Sequence, residues 1–178
     1  WFMNNGKPTY ITGRHYMMLQ WSKLDIGYPY FLEFQQRLFI HQKACEVDPR
    51  SMGQIYTKCR RSGYTNMSAA VLLDEATQVK DKLLGLQSKT GKDAQENIFM
   101  KKVVYMFKTY PFFFKPIQDG TTNPRVELAF REPSKRITKN NKTSSKGEAL
   151  NTIINWKNTT NNAYDGEKLH MMYLDEAG

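Results

Sequence analysis

Apolar side chains recur along this chain with two different spacings. From 31 to 47 they fall at Phe31, Phe34, Leu38, Phe39 and Ala44, roughly the spacing of a helix. Asp48-Pro49 ends that run, because a residue before proline is pushed out of helical backbone. A second helix is expected from 65 to about 82, opening on the small residues Ser68, Ala69 and Ala70. A third opens at Thr90-Gly-Lys-Asp93, a capping box with Asp in place of the usual Glu, and runs to about 110. Phe99, Val103, Met106 and Phe107 share a face of it, and Pro111-Phe-Phe-Phe-Lys-Pro116 breaks it.

Strand patterns lie between these helices. Gly53-Gln-Ile-Tyr-Thr-Lys58 and Leu83-Leu-Gly-Leu-Gln-Ser88 read as short strands. Val126-Glu-Leu-Ala-Phe130 and Thr152-Ile-Ile-Asn-Trp156 alternate as half-buried strands do. Leu169-His-Met-Met-Tyr-Leu174 is apolar throughout, the pattern of a strand buried on both faces of a parallel sheet. Residues 1–30 are rich in aromatics and read as turns and short extended pieces around a satellite cluster. Asp119-Gly-Thr-Thr-Asn-Pro124 is turn chemistry. Residues 131–147 hold six basic residues and one acidic among Ser, Thr and Asn, and read as an exposed, mobile loop. The order of elements favours an α/β fold with a largely parallel sheet.

Composition narrows the class. The chain has 178 residues, one domain or a large piece of one, with 40% hydrophobic and 24% charged residues, so wholesale disorder is excluded. No run of 18 apolar residues exists and no leader pattern opens the chain. Trp1 at the start, and an end directly after an apolar strand, suggest a fragment of a larger protein. Cys45 and Cys59 are too few for a disulfide framework, so a reducing compartment is the simpler expectation. A net charge of +9 favours an anionic partner without specifying one.

Two stretches carry candidate chemistry. A phosphate loop needs inward backbone N–H groups at a helix N-terminus, a glycine for close approach, a cation, and a hydroxyl that reaches magnesium. In Lys58-Cys-Arg-Arg-Ser-Gly63-Tyr64-Thr65, Gly63 and Thr65 fit the G-x-x-x-x-G-K-[ST] pattern but Tyr64 stands where the lysine belongs. Lys58, at the loop's first position, reaches the phosphates only if the loop curls back. A basic turn into an ordinary helix explains the same residues. The second stretch is the apolar strand ending in Asp175-Glu176, a Walker B arrangement in which Asp175 holds Mg²⁺ and Glu176 polarises water. A strand running into an acidic turn is the plainer alternative. Together, and in this order, the two stretches are far more specific than either alone.

These residues resemble the large terminase subunit of tailed bacteriophages, the DNA-packaging motor. Lys58, Arg61, Gly63, Tyr64 and Thr65 match that family's Lys-x-x-Arg-x-Gly-[aromatic]-[Ser/Thr] loop, in which the lysine stands first. Ile11-Thr-Gly-Arg-His-Tyr16, Gly85-Leu-Gln-Ser-Lys-Thr90, Pro111-Phe-Phe-Phe-Lys-Pro116 with the turn after it, and Leu174-Asp-Glu-Ala-Gly178 are similar to members from crAss-like gut phages. The resemblance implies a P-loop NTPase of the additional-strand, RecA-like class. Residues 1–50 would lead into an ATPase core at 51–178 that stops after the Walker B strand, with a ribonuclease H-like nuclease elsewhere in the protein. It further implies ATP and Mg²⁺ as cofactors, a nucleotide site along Lys58, Arg60, Arg61, Ser62, Gly63, Tyr64 and Thr65, a metal at Thr65 and Asp175, and Glu176 as the catalytic carboxylate. Arg60 or Arg61 would be an arginine finger in cis, and Gln35, Gln36 or Gln42 would meet the adenine. Double-stranded DNA, the portal protein and the small terminase subunit are the implied partners. The implied setting is a homo-oligomeric ring on the prohead, in the host bacterial cytoplasm and transiently at the portal vertex, with no membrane. A helicase-like ATPase and a nucleic-acid-binding module with a decayed nucleotide site are the competing readings.

Other residues are expected to be structural. His15, His41 and His170 are scattered, and His170, inside the apolar strand, is expected to be a packed core histidine. Cys59 reads as a space-filling residue of the loop. Phe112-Phe-Phe114 is expected in core or interface more than stacked on bases, and the basic 131–147 loop is as well explained by solvation as by DNA phosphates.

Overall fold

The computed structural model describes residues 1–132, 149–158, 160 and 162–176. The basic stretch within 133–148, and Ala177 with Gly178, lie outside them. A small antiparallel hairpin, β1 (Phe2–Asn4) and β2 (Lys7–Thr9), opens the chain. Its two-residue loop is Asn5-Gly6, both at positive φ, the chemistry such a tight turn requires. Helix α1 (Gly13–Trp21) follows, where the sequence suggested only turns and extended pieces. Helix α2 (Glu33–Val47) ends at Asp48 as expected, and α3 (Tyr64–Ala76) stops several residues short of 82.

A mixed sheet of four strands, β3 (Leu83–Gln87), β4 (Glu127–Phe130), β5 (Thr152–Trp156) and β6 (Leu169–Leu174), runs in the order β4-β5-β3-β6. β3 pairs parallel to both β5 and β6, and β4 joins antiparallel at one edge. Leu84, Leu86, Leu128, Phe130 and Ile154 enter one core with α3 and its neighbours. Strand alternation turns Gly85 to the opposite face, where a Cβ would stand 2.8 Å from the ring of Tyr164. The Tyr164 hydroxyl accepts the Leu86 N–H at 3.1 Å and donates to Asn155 Oδ1 at 2.9 Å, so this ring pins three chain segments together.

Four expectations are corrected. Residues 53–58 form no strand: no ladder partner meets them among the described residues, and Met52 and Ile55 are almost wholly exposed. β6 is an edge strand, not one buried on both faces, with Met172 and Leu174 exposed. His170 therefore sits at the surface, its Nε2 2.7 Å from Glu75 Oε1, instead of in the core. The third helix is not α over its first part. The Thr90 half of its capping box forms, with the Asp93 N–H donating to Thr90 Oγ1 at 3.1 Å and the Thr90 hydroxyl donating to Asp93 Oδ2 at 2.8 Å, but Asp93–Val104 winds as a π-helix before α4 (Tyr105–Thr109). No proline or glycine within it announces that register. Phe112 and Phe113 are exposed, while Phe114 packs edge-on against Trp21 at 5.5 Å between centroids. No helix among the described residues is long and apolar enough to cross a membrane.

Arg14 ties the helices together. Its guanidinium pairs with Glu46 of α2 and Glu75 of α3, and its Nε lies 3.6 Å from buried Asp74. Beside it His15 is 3% exposed, stacked on Phe39 at 4.8 Å and Phe31 at 5.5 Å, with neither ring nitrogen hydrogen-bonded among the described residues. Burial disfavours its charged form and lowers its pKa below 6.5. The unfolded chain thus takes up this proton first as pH falls, and the stability that neutral His15 contributes above 6.5 is lost below it. In urea denaturation between pH 8 and 5, His15→Phe should keep the aromatic stack and lose less stability on acidification than wild type. Parallel pH profiles for the two proteins would show that His15 carries none of the acid sensitivity.

Candidate functional site

The chain from α2 to α3 closes on the end of β6. Gly63 is the N-cap of α3 at φ +74, a left-handed conformation that suits glycine, and Arg61 shares the left-handed region at φ +63. The turn so formed brings Lys58 back over its own end. Lys58 Nζ lies 3.5 Å from Asp175 Oδ1, and the Thr65 hydroxyl donates to Asp175 Oδ2 at 3.3 Å. The Tyr173 hydroxyl donates to Asp175 Oδ1 at 2.9 Å, and the Asp175 N–H extends the β6 ladder to Gln87 O at 2.9 Å. The sequence's two separate stretches thus meet on one buried carboxylate, which is 8% exposed.

These groups line a polar cleft of about 510 Å³ at the C-terminal ends of β3 and β6, the end of a parallel sheet where ligands bind in α/β folds. Lys58, Arg61, Ser62, Gly63 and Thr65 line it from the loop side, and Asp175 and Glu176 from the strand side. Arg60 does not share this cleft. It lines a second groove of about 810 Å³ between 51–60 and the free edge of β6. Tyr64 is half-buried, its ring 5.2 Å from Tyr56 and 6.3 Å from Tyr173. Burial raises the pKa of Tyr64, pushes Tyr56 up to about 12, and raises Tyr173 further. All three hydroxyls stay protonated at neutral pH, and Tyr64 fills a packing role at the position where the standard loop has lysine.

Of the three glutamines, Gln35 is the one that hydrogen-bonds to the loop among the described residues. It is 2% exposed and donates from Nε2 to Ser62 O at 3.4 Å, while its Oε1 has no partner among the described residues. Gln36 donates instead to Tyr10 O at 3.0 Å, and Gln42 lines the groove. A hydroxyl and a carboxylate, Thr65 and Asp175, are hard oxygen donors of the kind Mg²⁺ takes while keeping several waters. Among the described residues no cluster of three or more His, Cys, Asp or Glu side chains could hold a metal. A larger cavity, about 1130 Å³, lies around Arg14, but there Glu46, Asp74 and Glu75 offset the one guanidinium.

The cleft also contains side chains that the sequence did not single out. Lys89 follows β3, and Asp93, Asn97 and Lys102 come from the π-helix. Lys89 stands two residues past the end of β3, so its place beyond a strand's C-terminal end was a usable signal. Lys102 carried none, because an α-helical reading turns it elsewhere. No protein-family model, curated protein or solved structure matches this chain.

A Cβ at position 63 would meet Gln35 Nε2 at 3.1 Å on a backbone already left-handed. Gly63→Ala should therefore lower stability by about 1–2 kcal/mol, the scale of forcing an L side chain into that region, with a smaller loss in a Gln35→Ala background. Urea titration of the four proteins measures both numbers. An unchanged midpoint in Gly63→Ala would mean the turn relaxes out of its left-handed form.

Proposed function

We propose that this chain is an ATP-hydrolysing P-loop domain, of the kind found in phage large terminase subunits, that powers translocation of double-stranded DNA. The observation that carries the reading is the convergence of Lys58, Thr65 and Asp175 at one point, from segments distant in sequence. A bare phosphate loop or a bare acidic turn has no need of the other.

The groups divide the work by their chemistry. Backbone N–H groups at the start of α3, with the α3 dipole, favour a phosphate at Gly63. Lys58, exchanged from Asp175 onto the phosphates, supplies the point charge that Tyr64 cannot. Thr65 and Asp175 are the residues that would hold Mg²⁺, which neutralises phosphate charge when bound. Glu176, exposed beside Asp175, is the carboxylate free to orient and deprotonate water. Arg61, lining the same cleft, is better placed than Arg60 to meet charge on the transferring phosphoryl group. Gln35, against the loop backbone, is the glutamine best placed near the nucleotide. A net charge of +9 suits a duplex as track.

Calorimetric titration with a non-hydrolysable ATP analogue and Mg²⁺ tests the first half of this assignment. Lys58→Ala should weaken binding by about ten- to a hundredfold, the worth of a charge-assisted contact, in a protein that still folds. Turnover tests the second half. Glu176→Gln should keep analogue affinity and lose about 10²- to 10⁴-fold in hydrolysis, the usual contribution of a general base. Wild-type protein that binds duplex DNA but no nucleotide would turn the assignment to a nucleic-acid-binding module with a degenerate nucleotide site.

A further inference from the structure

Besides Lys58 and Arg61 of the glycine loop, two further cations line the cleft, Lys89 after β3 and Lys102. Lys102 lines it from the π-helix, in company with Asp93, Asn97 and Ile98. Its side chain is partly buried, and among the described residues no carboxylate lies within ion-pair distance of it. The acids whose charge reaches it are Asp25 and Asp175, and Asp175 is already engaged by Lys58, Thr65 and Tyr173. Burial, the larger effect, lowers its pKa against the pull of those acids. An ammonium drawn from water without a partner is unfavourable unless an anion joins it.

The helix register decides where this lysine points. Lys102 follows Asp93 by nine positions (102 − 93). In an α-helix of 3.6 residues per turn, about two and a half turns separate them, which puts them on opposite sides. The wider i→i+5 winding covers the same stretch in about two turns and puts them on one side. The 12 residues of π-helix are what align Lys102 with Asp93 and Asn97 along the cleft wall. Such registers recur at functional sites.

We propose that Lys102 is a phosphate-binding residue, turned into the cleft by the π register as a further cation that contacts the polyphosphate held by Lys58 and the Gly63 turn. This rests on the triphosphate reading above. Its role differs from that of Lys58: it comes from the far wall, so the ligand's charge is gripped between two elements.

The test titrates wild type, Lys102→Met, Lys102→Arg and Lys58→Ala with the non-hydrolysable ATP analogue and, separately, with inorganic triphosphate, both with Mg²⁺. Circular dichroism checks each fold, and Lys102→Gln is read by the same criteria if Lys102→Met departs from wild type. Lys102→Met is expected to weaken both ligands by about tenfold or more, and Lys102→Arg to restore most of the loss. Wild-type affinity in Lys102→Met beside lost binding in Lys58→Ala overturns the Lys102 proposal and leaves the triphosphate reading standing. A loss that Lys102→Arg does not restore assigns the effect to packing and overturns it as well. Lys102-dependent binding of inorganic triphosphate without nucleotide binding upholds Lys102 and overturns the ATP reading. No binding of either ligand by wild type overturns both.

Discussion

Asp175 is the fixed point of this molecule. A carboxylate removed from water must be compensated, and here three side chains from two distant regions do it: Lys58, Thr65 and Tyr173. The compensation runs both ways. Residues 53–58 have no ladder among the described residues, and side chains anchor them instead: Lys58 on Asp175, and Tyr56, whose hydroxyl lies 3.0 Å from His41 Nδ1 and whose ring meets Tyr64 at 5.2 Å. Asp175 is in turn held in register by its own N–H on Gln87 O. One carboxylate thereby joins a ladderless stretch of chain to a strand terminus.

The scaffold around that point is stiff where the site needs stiffness. Helix α3 is buried along nearly its whole length, with Ala69, Leu73 and Ala76 fully enclosed. It presents Thr65 from a position that packing fixes. Gln35 supports the turn from below through Ser62 O, and Arg14 locks α1, α2 and α3 to one another at the far end of α3. By contrast Arg60, Glu176 and Cys59 stay exposed at the rim. Thr65 is thus fixed by packing, while Glu176 stands open to solvent beside Asp175.

Much of this was legible in the sequence, and the reasons divide cleanly. The strands β3, β4 and β5 show themselves by local apolar alternation, and α2 by its spacing and its Asp48-Pro49 stop. The Lys58 to Thr65 and Asp175-Glu176 stretches were legible as a pair because each element end carries its own side-chain chemistry. The burial of β6 was not: an apolar hexapeptide reads alike at the centre and at the edge of a sheet, and only the strand order distinguishes them. His170 was misjudged for the same reason. Residues 53–58 look like a strand locally, yet a strand exists only where another backbone meets it. The hairpin turn Asn5-Gly6 was a clear signal that went unused. The π register had no signal, since no breaker interrupts 93–104 and every residue there is at home in an α-helix.

That register has a hereditary side as well as a chemical one. A helix wound this wide keeps its facing residues aligned only while the number of residues between Asp93 and Lys102 stays fixed. Deleting one position lets the segment tighten towards α and rotates everything after it by most of a right angle or more. Lys102 would leave the cleft wall, and Val103 and Phe107 would leave the core with it. A substitution at the exposed Glu96 carries no such penalty. Over evolutionary time this stretch should vary in spelling only at its exposed positions, while remaining intolerant of any change in length.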